Sequence, residues 1–184
     1  MGGVARWPYS GFVTNLRLHF ERMYEFAPVI VWDALIDADL VSGWLADALI
    51  DPRPGGEYTL RWLNRDSASS DAGRIERFEP YSELQVQSTT MGTLRFTLEQ
   101  RPGGSRGTST LLSVDITTPV EPAFATRVRA NWLTNLDQLA HLLRGHPVDW
   151  EHWSRDHAEA WADHLAGAEA EADPAADPAA HGPR

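Results

Sequence analysis

Between residues 13 and 26 apolar and polar side chains alternate, with Leu16, Leu18 and Phe20 on one side and Arg17, His19 and Glu21 on the other. That period of two predicts a half-buried β-strand. The alternation stops at Ala27-Pro28. Pro28 suits the first turn of a helix, and Val31, Ala34 and Leu35 follow at helical spacing, so a short helix is expected at 28–36. A second, at 39–45, has Asp37 or Asp39 as its cap.

From Leu49 onward the chain reads as strands separated by turn residues: ALID, the turn PRPGG, EYTLRWL, a polar loop NRDSASSDAG, then RIERFEP, ELQVQSTT, TLRFTLEQR, the turn PGGSRG and TSTLLSVDITT. Such short connections predict an antiparallel meander. Tyr58, Leu60 and Trp62 share one face, as do Leu84 and Val86, then Leu94, Phe96 and Leu98, then Leu112, Val114 and Ile116. Thr59, Arg61, Gln85, Gln87, Arg95, Thr97 and Glu99 fall on the other, so the sheet has one wet face and one that an apolar element must cover.

The segment AFATRVRANWLTNLDQLAHLLRG supplies that cover. Phe124, Val128, Trp132, Leu136, Leu139 and Leu143 advance by three or four, Pro122 precedes the start, and Gly145 with Pro147 supplies the stop. Beyond it, Trp150, Trp153, His157, Trp161 and Leu165 mark another amphipathic helix with Asp149 as its cap. The last stretch is short, polar and proline-spaced, and disorder is expected from residue 168. The organisation that follows is an N-terminal arm at 1–12, a domain at 13–146, a tryptophan-rich helix at 147–167 and a disordered acidic tail at 168–184.

Composition narrows the function classes. Without cysteine there is no disulfide, thiolate nucleophile or thiolate metal site. Nine acids against Arg155 and Arg184 place −7 of the formal −10 charge in residues 149–184, which argues against nucleic acid as a partner. All sixteen basic residues are arginine, a bias of composition and not of function. No stretch approaches the roughly 18 apolar residues of a membrane span, and residues 1–11 lack a signal-like apolar run, so a soluble cytoplasmic protein is expected. His152, His157 and His164 do not share one helical face, and no metal or cofactor is expected.

The order strand, two short helices, six strands and long helix resembles the START-like helix-grip superfamily, also called SRPBCC. Ala27-Pro28, Val31-Trp32, Ala34-Leu35 and Trp44 are similar to the opening of its members. Asp51, Arg53, Gly55 and Gly56 form a D-x-R-x-G-G turn like that of the branch named after homologues of the activator of heat-shock-protein-90 ATPase. Gly73, Ile75, Pro80 and Leu84 resemble its next strand pair, and Trp132, Leu136, Leu139 and Leu143 its closing W-x3-L-x2-L-x3-L helix. The likeness spans about residues 14 to 144; Asn131, where members often have glycine, and the 38 residues from Pro147 depart from it. It implies an α+β fold: a curved antiparallel sheet of six to seven strands with the long C-terminal helix across its concave face.

The resemblance also implies an apolar cavity between sheet and helix. Its expected lining is Trp44, Tyr58, Leu60, Trp62, Leu84, Val86, Phe96, Leu98, Val128, Trp132 and Leu136, a set suited to a small hydrophobic or aromatic ligand. A cavity enzyme of aromatase/cyclase type is the alternative. It needs an inward ionisable group, and the candidates are His19, Arg61, Arg74, Glu76 and Arg95, most of which alternate onto the wet face. A third reading is a co-chaperone-like interaction module. Trp150, Trp153 and Trp161 carry too much apolar area for water, so their helix docks on its own domain, on a second copy or on another protein.

Overall fold

The computed structural model describes residues 13–63 and 69–172. The N-terminal arm, residues 64–68 of the polar loop and residues 173–184 of the tail lie outside them. Strand β1 (Thr14–Tyr24) is followed by α1 (Pro28–Ile36) and α2 (Ala38–Ser42). Then come β2 (Asp47–Ile50), β3 (Glu57–Trp62), β4 (Ser69–Glu79), β5 (Glu83–Ser88), β6 (Gly92–Pro102) and β7 (Thr108–Val120). A 3-10 turn at Pro122–Phe124 leads into α3 (Ala125–Leu143), and a second at Trp150–His152 leads into α4 (Trp153–Ala172).

The seven strands form one sheet in the order β1-β7-β6-β5-β4-β3-β2, antiparallel throughout. Hairpins put neighbours in sequence side by side, while β1 returns to pair with β7 from Thr14 opposite Val120 to Tyr24 opposite Thr110. The alternation read from the sequence is the alternation of burial: Leu18, Phe20, Tyr58, Leu60, Leu84, Val86, Leu94, Phe96, Leu112, Val114 and Ile116 all face the core. His19, Arg61, Arg74, Glu76 and Arg95 are exposed on the opposite face.

Boundaries differ from expectation at three places: α2 ends at Ser42, short of the expected 45, and two others concern β4 and α4. Strand β4 begins at Ser69, inside the segment read as loop; its small polar residues show no alternation, yet they pair in register with β3, Ser69 opposite Trp62 and Gly73 opposite Tyr58. Helix α4 runs to Ala172, past the expected onset of disorder at 168. Ala and Glu are strong helix formers, Ala168 is buried, and Arg129 of α3 pairs with Glu171 at 3.1 Å.

Local chemistry explains the ends of the helices. Pro28 opens α1, and the Asp37 side chain caps α2 by accepting from the amides of Asp39 and Leu40. Helix α3 stops at Gly145, whose φ of +86° lets the His146 amide reach back to the His141 carbonyl and the Gly145 amide to Leu142. In the D-x-R-x-G-G turn, Gly55 has φ +76°, and a Cβ on Gly56 would sit 2.0 Å from the Asp51 carbonyl oxygen. Only glycine fits there.

The core lies between the sheet and α1, α2 and α3. Trp32, Trp44, Tyr58 and Phe96 are its largest buried side chains, and α3 adds Trp132, Leu136 and Leu139. Each fully buried side chain of this size contributes about 1.5–3 kcal/mol. Three polar tips lock the layers together: Trp44 Nε1 donates to the Ala34 carbonyl at 2.8 Å, Tyr58 Oη to Leu35 at 2.9 Å and Tyr24 Oη to Leu136 at 3.0 Å.

Candidate functional site

A pocket opens beside the core at the end of β7. It is lined by Ile116, Thr118, Pro119 and Val120 toward the end of β7, by the first half of α3, by Trp62 of β3, by Asp71 of β4 and by the Thr90-Met91 turn. The enclosed volume is about 350 Å³. Helix α3 contributes Val128, Asn131, Trp132 and Asn135, which at spacings of three and four form one stripe.

The polar groups of this pocket are arranged with care for one carboxylate. Trp62 Nε1 donates to Asp71 Oδ2 at 2.5 Å, and the Thr90 hydroxyl donates to Asp71 Oδ1. Ser88 Oγ holds the turn that presents Thr90 by accepting from the amides of Thr90 and Met91 at 3.2 Å. Asn131 Oδ1 accepts from Trp161 Nε1 of α4 at 2.7 Å. Asn135 is different: it is 6% exposed, and its side-chain amide has no hydrogen-bond partner among the described residues. No fully enclosed side-chain polar atom is left unsatisfied there, so the Asn135 amide meets the space of the pocket.

The expected lining divides in two. Trp62, Val128 and Trp132 line the pocket. Trp44, Tyr58, Leu60, Leu84, Val86, Phe96, Leu98 and Leu136 are packed in the core instead, none more than 6% exposed. Burial pushes the Tyr58 phenol above its ordinary value, so it stays a donor to Leu35. Sequence reasoning missed Asp71, Thr90, Met91, Ile116, Thr118, Pro119, Val120, Asn131 and Asn135. Asn131 and Asn135 were detectable, since both interrupt the apolar stripe of α3 at positions that flank Trp132; Asp71 was hidden in the supposed loop.

A larger groove of about 1140 Å³ lies on the outer face over β3, β4 and β5. It is open, and its charges satisfy one another or nearby groups: Arg53 pairs with Asp51 at 2.7 Å, Arg74 donates to the Gly55 carbonyl, and Glu76 accepts from Gln85.

Acid/base chemistry needs convergent ionisable groups. Asp71 is the one ionisable residue among the described residues that line the pocket. The five ionisable candidates on the strands stay on the outer face.

Helix α4 docks on its own domain. Trp150 Nε1 donates to the Ser42 carbonyl at 2.6 Å, and His164 Nε2 lies 2.7 Å from Asp137 Oδ2. The buried Gln138 amide, oriented to satisfy its neighbours, donates to the Trp44 carbonyl at 2.7 Å and accepts from Trp153 Nε1 at 2.6 Å. Of the three destinations open to this helix, its own domain is the one observed: the indole N–H groups of Trp150, Trp153 and Trp161 are all bonded within the chain.

Among solved structures, MLL2253 from Mesorhizobium loti is similar with a TM-score of 0.59 and 18% identity over 72% of this chain and 100% of its own. CalU16 from Micromonospora echinospora gives 0.53 and 21% over 83% and 89%. DynU16, a putative protein in the dynemicin biosynthetic locus, gives 0.56 and 20% over 71% and 48%. No curated protein matches the chain. At these identities the likeness concerns the fold. The family model described as Activator of Hsp90 ATPase homolog 1-like protein matches residues 25–144, the span from the approach to α1 through the end of α3. The chain belongs to the family of Activator of Hsp90 ATPase homolog 1-like proteins.

Proposed function

We propose that the chain binds a small, flat, largely apolar molecule in the pocket between the first half of α3 and the end of β7. The observation that carries this reading is the pairing of two indoles, Trp62 and Trp132, with a buried Asn135 amide that has no partner among the described residues. Indoles offer broad apolar area, and an unpaired amide in a small cavity fixes the orientation of whatever enters. The eight deeper residues of the expected lining belong, with Trp132, to the buried core.

The volume suits a ligand of two or three fused rings. DynU16 is named for a biosynthetic locus, which fits a role in handling such molecules, here with binding and not catalysis as the activity. A cytoplasmic location is part of the same proposal. Among the described residues no helix is long and apolar enough to cross a membrane.

A thermal-shift screen of fused-ring aromatic compounds tests the reading. The expected result is stabilisation by at least one compound, lost in a Val128→Trp variant whose larger side chain fills the pocket. Stabilisation that persists in Val128→Trp overturns the assignment of the site, and a silent screen overturns the function.

A further inference from the structure

The polarity of the pocket has a sign. Asp71 brings a carboxylate to a wall otherwise made of indole, aliphatic, amide and hydroxyl groups, and no arginine or histidine lines the cavity among the described residues. Its two oxygens each accept one hydrogen bond, from Trp62 Nε1 and from the Thr90 hydroxyl. A carboxylate oxygen accepts two, so each keeps capacity for a donor arriving from the cavity.

Both internal donors are neutral. They orient the carboxylate without cancelling its charge. A cation entering the pocket meets that charge, the π-systems of Trp62 and Trp132, and the carbonyl oxygen of Asn135 as a further acceptor. An anion of the same shape meets a like charge in a confined space. The formal charge of −10 on the chain adds a long-range field of the same preference.

We infer that the ligand is an amine: a flat apolar body bearing a protonated nitrogen that lies between Asp71 and Asn135 and against the indoles of Trp62 and Trp132. This rests on the pocket reading above and adds the chemical class of the ligand. Asp71 and Asn135 are its specificity determinants, and carboxylic acids are excluded by the charge of Asp71.

Calorimetric titration of the full chain with three probes of one shape, naphthylmethylamine, naphthylmethanol and naphthoate, tests the inference at neutral pH. The amine is expected to bind about tenfold tighter than the alcohol, with naphthoate the weakest. Asp71→Asn, which keeps an acceptor oxygen for Trp62, is expected to bring the amine to the level of the alcohol. Equal binding of amine and alcohol by the wild-type chain, or a preference that survives Asp71→Asn, overturns the inference and leaves the pocket reading standing. Failure of all three to bind overturns both. The wild-type ranking decides even if the variant does not fold.

Discussion

Trp161 Nε1 donates to Asn131 Oδ1 across 2.7 Å, so the C-terminal helix is bonded to a residue of the pocket wall. Asn131 lies within the span 25–144 that matches the family, and its partner comes from the helix beyond that span. Trp161→Phe keeps an aromatic ring, smaller than the indole, and removes the donor. Loss of one such bond is expected to lower stability by about 1 kcal/mol, seen as a lower thermal midpoint. Ligand affinity is expected to change as well, because the Asn131 amide is then free to turn into the cavity; unchanged affinity contradicts the coupling.

Gln138 carries more. It is fully buried, and its amide joins the carbonyl after α2 to the first turn of α4. Gln138→Met preserves length and volume while leaving the Trp44 carbonyl and the Trp153 indole N–H without their partner. The expected cost in urea unfolding is about 1–3 kcal/mol for each group left buried and unmade. Deleting residues 147–184 is expected to destabilise the domain for the same reason. A truncated chain as stable as the full one refutes the docking of α4 as a structural element.

Acid is expected to weaken that docking through His157. Burial against the domain, and then the nearby His141, hold its pKa below the ordinary 6.5, with Asp156 opposing in part. The unfolded chain therefore takes up this proton at a higher pH than the folded one, and stability falls as pH drops from about 7 toward 5. His19 acts in the other direction: the hydrogen bond to Asp115 raises its pKa, so its contribution is present below 6.5 and is lost as pH rises through the folded value. The diagnostic is accordingly the difference between wild type and His157→Gln. Thermal midpoints should converge on acidification, with the wild-type chain losing more than the variant.

The D-x-R-x-G-G turn separates two kinds of glycine. Gly55 sits at φ +76° in open space, so Gly55→Ala costs a strained backbone of about 1 kcal/mol. Gly56→Ala drives its Cβ to 2.0 Å from the Asp51 oxygen and 2.9 Å from that of Arg53, and both are backbone atoms that cannot turn aside. Circular dichroism melts are expected to show a modest shift for the first and a large loss of folded protein for the second. A mild effect at Gly56 means that the turn has another geometry.

The fold was legible because period-two alternation is imposed by a sheet with one wet face, and it held for Leu84 and Val86 as for Leu112, Val114 and Ile116. It failed at Ser69 to Gly73, where small polar residues pair with β3 through backbone groups and carry no hydrophobic signal. It failed again at residues 168–172, where helix propensity and the contact of Ala168 outweigh a polar composition. For the site, periodicity finds residues that face inward but not which of them border empty space. Trp44 and Trp132 look alike in the sequence; one is covered by α1 and donates to Ala34, and the other stands where β7 ends. Asp71 was unreadable because its place depends on the strand the sequence concealed.

The indole N–H resonances of a nitrogen-15-labelled chain give the most direct view of the pocket. On titration with a bound aromatic amine, the signals of Trp62 and Trp132 and the side-chain amide of Asn135 should shift together, while those of Trp32 and Trp44, buried in the core, stay in place. Shifts at Trp32 or Trp44 with none at Trp62 and Trp132 would put the ligand elsewhere and contradict the account.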